Sequence, residues 1–388
     1  MALISAEKIF NGYDFFSKNT VLKISEEGII EEIFQTNHLE GVNMYKGILM
    51  PGMINAHCHL ELSHLRNQMQ RGEGLVGFLL SIVRNREQAT ENEKQLAIEG
   101  AEREMMQNGI VAVGDISNTI DTLPQKSKGN LCYHTFVECF GLKPERAVDI
   151  RNQAKELQQE FLKYHNSTVV LHAPYSVSNQ LIALIDTLNS SQITCIHNQE
   201  CLAENELFLN RSGDFLQLFD AIHFDINLFE SEHLNSIQTY LPKCVLQKKM
   251  ILVHNTVSSE EDVRWANGLD KEIFWCLCPK ANLYIEDSLP DIEMMLRNDC
   301  EIILGTDSLA SNDTLSIWEE IKTIHQHKPK IPIVNMLRWA TSAGAKALGM
   351  DAMLGSIEVG KRPGILQIAL DHTDALHFSE ESKVEVLF

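Results

Sequence analysis

Pro51-Gly-Met-Ile-Asn-Ala-His-Cys-His-Leu-Glu-Leu-Ser-His64 is the stretch on which the reading of this chain turns. The apolar run Gly47-Ile-Leu-Met leads into a Pro-Gly break, and Met53-Ile-Asn-Ala then reads as a short buried strand ending in His57-Cys-His59. Alternate side chains of a strand share a face, so His57 and His59 point one way and Cys58 the other. Two imidazoles on one face at the carboxyl end of a strand can hold one divalent metal. Taken alone the pair is weak evidence, because core and surface histidines account for most such spacings.

Working outward, residues before 51 read as short strands over 3–5, 20–24 and 28–34, broken by Gly and Asn, with no helical period. From Met53 onward short apolar strands alternate with helices, the pattern of βα units and a parallel sheet. Eight strands are expected, over 53–59, 109–115, 131–138, 168–172, 192–197, 250–254, 273–278 and 301–307. Helices are expected over 93–107, after Ser178, and over 334–348. The segment 198–241 reads as long, mostly helical and lid-like. Eight such units predict an α/β fold, a (β/α)₈ TIM barrel over residues 51–352. A doubly wound open sheet lacks its Gly-rich phosphate turn here. The tail returns to strands over 355–361 and 365–370. Residues 1–50 and 353–388 are therefore expected to build one composite β-sandwich from both termini.

Composition sets limits on what the chain does. With 388 residues, 44% hydrophobic and 22% charged, it has ample material for a large soluble core. A net charge of −20 argues against nucleic acid or an anionic membrane as partner. Nine scattered cysteines form no spaced disulfide framework, and Glu7 and Lys8 interrupt any signal-peptide core. No apolar run is long enough to span a membrane, and a cytoplasmic location is expected. The expected partner is a small-molecule substrate, with a homodimer as the candidate assembly.

Barrel enzymes place their chemistry at the carboxyl ends of the strands. Those tips carry His57 and His59, His172, His197, His254 and Asp307. Fifteen histidines scattered at random would rarely put five on one rim, so metal binding outweighs a core role. Neutral imidazoles with one carboxylate suit Zn²⁺ first and Fe²⁺ second, and leave a position open for water. No lysine stands at a tip to bridge two ions, so one metal is expected. Hydrolytic release of an amine also needs a proton donor. Glu200, three residues past His197, stands at the pocket wall for that role. Cys276 and Cys278 lack partners for a metal pair and read as buried small hydrophobes.

The motifs Pro51–His59, His172-Ala-Pro-Tyr-Ser-Val-Ser, His197-Asn-Gln-Glu, Cys278-Pro-Lys-Ala-Asn282, Gly305-Thr-Asp-Ser-Leu-Ala-Ser-Asn312 and Gly355-Ser-Ile-Glu-Val-Gly-Lys resemble the amidohydrolase superfamily. The likeness is to its aminohydrolase branch of cytosine, guanine and triazine deaminases and chlorohydrolases. It implies that His57, His59, His197 and Asp307 are metal ligands. Asp307 would also take a proton from the attacking water, His254 would orient that water, and Glu200 would shuttle the proton to the ring and the departing ammonia. His172, Glu61, Asn282 and Ser311 are the substrate contacts expected from it. Two positions depart from the family pattern: Ala281 stands where Ser is common, and Arg362-Pro-Gly follows the last Gly-Lys. The run His59-Leu-Glu-Leu-Ser is similar to one in 6-aminodeoxyfutalosine deaminases. The function implied is metal-dependent hydrolytic deamination of a purine-like heterocycle. Hydrolysis of an amide or a C–Cl bond on the same metal site is the alternative, and a noncatalytic scaffold the reading from another class.

Overall fold

The computed structural model describes residues 1–189, 192–369 and 382–388. Four strands precede the histidine pair: β1 (Ala2–Ile9), β2 (Thr20–Ile24), β3 (Ile30–Gln35) and β4 (Asn43–Pro51). Eight follow from it, β5 (Met53–Cys58), β6 (Ile110–Ser117), β7 (Cys132–Cys139), β8 (Asn166–Leu171), β9 (Ile193–Asn198), β10 (Lys249–His254), β11 (Glu272–Leu277) and β12 (Glu301–Leu304). The tail adds β13 (Ile365–Ile368) and β14 (Val384–Val386). The eight central strands lie where the apolar runs predict them, with ends displaced by only a few residues.

These eight form two four-stranded parallel sheets, ordered β5-β6-β7-β8 and β12-β11-β10-β9. They are buried on both faces, as parallel strands covered by crossover helices are. Period-2 alternation divides their side chains between two cores. In β10, Met250 and Leu252 join the cluster packed under the helices, whereas Ile251 and Val253 join another. That second cluster unites Ile54, Ala112, Phe136 and Val170 of one sheet with Cys195, Phe274 and Ile303 of the other. The two sheets thus face each other across one apolar filling, a mixed α/β arrangement. Their edges also meet at the carboxyl ends: His197 N–H donates to the His172 carbonyl at 2.9 Å, and Thr306 and Asp307 N–H donate to the His57 carbonyl at 3.0 and 3.1 Å.

The helices follow local chemistry. Thr90 and Glu93 form a reciprocal capping box that starts Glu91–Gln107, which buries Ile98, Ala101 and Met105. Ser178 caps Asn179–Leu188 through Leu181 N–H. The expected helix over 334–348 is three segments in succession, Ile333–Arg338, a π-helical turn Trp339–Ala343, and Gly344–Leu348. In the 198–241 segment lie the helices Leu202–Asn210, Phe215–Ala221 and Ser236–Tyr240. No helix among the described residues is long and apolar enough to cross a membrane.

The termini do associate. β13 pairs antiparallel with β4, Ile365 opposite Pro51, within a six-stranded sheet ordered β14-β13-β4-β1-β2-β3. Among the described residues this is one sheet, and the second layer that a sandwich requires is not seen among them. Residues 355–361, expected as a strand, form turns instead. Ile357 N–H donates to the Asn11 carbonyl, Gly360 N–H to that of Ile30, and Ile30 N–H to that of Lys361, isolated contacts without a ladder. Leu370, the end of the other expected tail strand, lies outside the described residues.

Candidate metal centre and active site

The tips of the two parallel sheets bring the predicted imidazoles together. β5 shifts register against β6 between Asn55 and Cys58, and a bulge at a strand end re-aims the side chains beyond it. His57 Nε2 lies 3.1 Å from His59 Nε2. Asp307 Oδ1 is 3.6 Å from the first and 3.5 Å from the second. Donor atoms held 2.0–2.1 Å from a tetrahedral zinc lie roughly 3.3 Å apart, so this near-equilateral triangle suits one ion. His197 reaches the same cluster, with a ring nitrogen within 4.8 Å of those of His57 and His254.

Electrostatics agree with ligand chemistry. Burial pushes the His57 and His59 imidazoles down, so both are neutral with lone pairs free. Burial opposes ionisation of Asp307, but the adjacent His57, His59 and His254 rings outweigh it and hold the carboxyl well below its usual range. Buried His197 Nε2 has no hydrogen-bond partner, as expected of an atom whose partner is an ion or water. Ser311 Oγ donates to Asp307 Oδ2. Gly305 allows the close approach: a Cβ there would lie 2.8 Å from His57 Cβ and 2.9 Å from its carbonyl oxygen.

Beside the cluster, Glu200 is buried, and burial, then Asp307, Glu204 and Glu286, raise its carboxyl well above the ordinary value. The main-chain N–H groups of Gln199 and Glu200 both donate to the Glu204 carboxylate, each at 3.2 Å. His254 Nε2 sits 3.6 Å from Glu200 Oε1 and 3.1 Å from His197 Nδ1.

One cavity of about 370 Å³ opens over this constellation, and His59, His172, His197, Glu200, His254 and Asp307 line it. Its opposite wall is apolar, from Leu75, Phe78, Leu79 and Ile82 of the helix Gly74–Asn85. His172, lowered to about 4 chiefly by burial, has its Nδ1 2.9 Å from Ser176 Oγ. The other three expected substrate contacts are placed outside that lining. Glu61 Oε2 accepts from Asn118 N–H, Thr119 N–H and Thr119 Oγ1 at 2.9, 3.2 and 3.3 Å. Asn282 Nδ2 donates to Thr256 Oγ1, and Ser311 is turned to Asp307.

The sequence reading passed over Glu138 and Asp115, both at strand tips. Glu138 ends β7 in the cavity wall, within 4.8 Å of His172 and His197. Burial opposes its charge, but the nearby His172, His197 and His59 rings hold its carboxyl well below the usual range. Asp115 Oδ1 accepts from Leu60 N–H at 2.8 Å, fixing the residue after His59, and its Oδ2 pairs with buried Lys126 at 2.6 Å. Both stand within or at the end of an expected strand, so asking the tips for carboxylates as well as imidazoles would have found them.

Comparison with known proteins places this geometry in context. The model of the amidohydrolase family matches residues 48–387. An adenosine deaminase of Helicobacter pylori is 28% identical over 338 residues, 84% of this chain and 80% of that one. An aminodeoxyfutalosine deaminase of Nitratiruptor sp. is 27% identical over 327 residues, 81% of this chain and 77% of that one. Among solved structures, Helicobacter pylori aminofutalosine deaminase in complex with methylthio-coformycin superposes with a TM-score of 0.80 at 23% identity, covering 96% and 93% of the two chains.

Proposed function

The chain belongs to the amidohydrolase family, and from that premise we propose that it is a metal-dependent hydrolytic deaminase of an aminated, purine-like heterocycle, with 6-aminodeoxyfutalosine the leading candidate substrate. The observation that carries the reading is the buried triangle of His57, His59 and Asp307 donors beside a buried, high-pKa Glu200 in one cavity. Relatives named as deaminases of adenosine and aminodeoxyfutalosine support it.

His57, His59, His197 and Asp307 would hold one divalent ion, Zn²⁺ in preference to Fe²⁺ by donor type. Such an ion, when bound, supplies Lewis acidity and a hydroxide nucleophile near neutral pH. Burial raises the Glu200 carboxyl, which favours its protonated form, and from there it can deliver a proton to the ring nitrogen. Reloaded with the proton that Asp307 takes from the attacking water, it protonates the amine of the tetrahedral adduct, because an amide anion is a poor leaving group, and it regains a proton from the adduct's hydroxyl as the carbonyl forms. His254, 3.6 Å from Glu200, orients the attacking water, and Asp307 accepts its proton. His172 stands at the cavity wall against the substrate. We read Glu61, Asn282 and Ser311 as substrate-side residues acting through Asn118, Thr256 and Asp307, which they touch.

The same premise extends to architecture. We read the two facing sheets, with their shared apolar filling and bonded edges, as one (β/α)₈ barrel over residues 51–352. Residues 1–50 and 353–388 then form the accessory β-unit. A cytoplasmic homodimer is the proposed setting.

The test is ammonia release by the zinc-loaded protein from a panel of aminated purines, nucleosides and triazines. Glu200→Gln should keep its metal and lose at least about 10²-fold in kcat. Release of chloride or cleavage of amides without any ammonia from ring amines would replace the reading by another hydrolase. Near-wild-type turnover by Glu200→Gln would reassign the shuttle.

A further inference from the structure

Between β9 and the helix Leu202–Asn210 the chain runs Gln199-Glu-Cys201, and the proton shuttle sits in the middle of that short link. Cys201 occupies the N-cap of the helix, and its side chain makes no capping hydrogen bond. Glu204, the third residue of the helix, reaches back instead. In a capping box the side chain at this position closes on the N-cap N–H. Here it passes over the N-cap and takes the two N–H groups before it. Gln199 N–H donates to Glu204 Oε1 and Glu200 N–H to Glu204 Oε2, each at 3.2 Å.

Two features set this contact apart from an ordinary cap. Gln199 is left-handed, with φ of +43°, so a strained bend lies directly before Glu200. Successive N–H groups beside a left-handed residue make a concavity that suits an anionic group, and the Glu204 side chain fills it from a fully buried position. The other bonds of the link stop at Gln199: Val257 N–H donates to its carbonyl at 3.0 Å, Ser258 Oγ to its Oε1 at 2.6 Å, and its Nε2 to Asp262 Oδ2 at 3.1 Å. The N–H of Glu200 itself goes to Glu204. The Glu200 carboxyl group lines the substrate cavity and meets His254 at 3.6 Å. A carboxyl group that must take up and release protons cannot be tied by strong bonds of its own, so its aim has to come from its backbone.

The geometry points to Glu204 as a positioning residue for the proton shuttle: by holding the main-chain N–H of Glu200, it keeps that carboxyl group within reach of the reacting nitrogens. This rests on the deaminase reading above. A general acid works at heavy-atom distances of roughly 2.6–3.2 Å, and a misplacement of about 1 Å can cost 10²-fold in rate. Glu204 is outside the cavity lining, so its loss should be felt in kcat rather than in KM.

The experiment measures kcat and KM for 6-aminodeoxyfutalosine and for adenosine, with metal per chain and the unfolding midpoint, in the wild type, Glu204→Gln, Glu204→Ala, Glu200→Gln and the two double variants. Glu204→Ala should lose about 10²-fold in kcat, with KM within about threefold and metal unchanged. Glu204→Gln keeps one oxygen acceptor and should lose less. Added to Glu200→Gln, either change should cost at most about threefold more, because residues that act as a unit are not additive and a missing acid cannot be misplaced. Costs that multiply in the double variants overturn the proposal, as do a near-wild-type kcat in Glu204→Ala and a loss confined to KM. Loss of metal from both Glu204 variants assigns Glu204 to His197 and overturns it equally. Where Glu204→Ala fails to fold, Glu204→Gln carries the same comparison. Near-wild-type turnover by Glu200→Gln removes the shuttle and this role together, whereas a wild type that releases ammonia from neither substrate overturns the deaminase reading itself, and the role with it.

Discussion

Lys126→Met should be among the most damaging single changes in the protein, although Lys126 lies outside the cavity lining. Its ammonium sits 2.6 Å from Asp115 Oδ2, with both side chains fully buried, and also donates to Ser117 Oγ at 3.1 Å and Thr135 Oγ1 at 2.9 Å. Methionine fills similar space but leaves Asp115 as a buried, uncompensated charge, which costs about 3–5 kcal/mol. Replacing both partners removes the charge problem altogether. The Asp115→Asn/Lys126→Met double variant should therefore cost less than the sum of the single changes, by about 2–3 kcal/mol. Urea unfolding of the metal-free protein, followed by tryptophan fluorescence, measures all three. A second readout ties the pair to the site. Asp115 Oδ1 holds Leu60 N–H, the residue next to His59, so Lys126→Met should also weaken zinc binding by about 10–100-fold, as loss of outer supports to metal ligands does. A Lys126→Met protein within about 1 kcal/mol of wild type, or single-variant costs that simply add, would show that the ion pair neither stabilises the fold nor supports the site.

Three further outcomes follow from particular contacts. Gly305→Ala places a Cβ within 3.0 Å of His57 Cβ, O and N; overpacking of that kind costs about 1–3 kcal/mol, and zinc titration should show lost affinity together with a lower unfolding midpoint. Burial raises Glu320 to about 8 from 4.5, with Lys280 N–H and Asn312 as its hydrogen-bond donors. A raised carboxyl pKa contributes stability that is full below the unfolded value and lost as pH rises through the folded one. The stability gap between wild type and Glu320→Gln, read by thermal melts, should therefore shift against the wild type from about pH 5 to about pH 9; a pH-independent gap refutes this. Deleting residues 354–388 removes β13, whose Ile365, Leu366 and Ile368 are fully buried beside β4, and should yield insoluble protein; a soluble, active truncation would make the tail dispensable.

His57, His59, His197 and Asp307 were legible because each ends an apolar run, and strand ends in a parallel α/β fold converge on one rim. Glu138 had the same address but carries no spacing signature. Its orientation depends on Asn118, 20 residues earlier, at the end of a neighbouring strand. The apolar positions of Gly74–Asn85 were visible in the same way, but not which of them would turn to the cavity rather than the core. Residues 355–361 misled for a different reason. Ile357 and Val359 alternate with polar residues as a strand would, yet Gly355 and Gly360 have φ of +79° and +88°. The backbone turns at both, and its hydrogen bonds go to two separate segments. Alternation reports which side chains face inward, not whether a neighbouring strand is there to pair with.

Four residues around the site are in left-handed backbone without being glycine: Gln199, His254, Asn255 and Asp307, with φ of +43°, +73°, +57° and +56°. Such conformations cost of order 1–3 kcal/mol each and persist only where the surroundings over-determine them. Here bonds between strand tips do so. Asp307 N–H donates to the His57 carbonyl, Asn255 N–H to that of Asn198, and Val257 N–H to that of Gln199. Glu204 accepts the Gln199 N–H. The bend that brings the Asp307 carboxylate to His57 is thus held by the residue it must reach, and the bend before Glu200 by the tip of β10. Neither turn can be read from its own residues, because each is stable only when the neighbouring tip is present. The rim is therefore assembled as a unit, and a change that loosens one tip should be felt at the ligands contributed by the next.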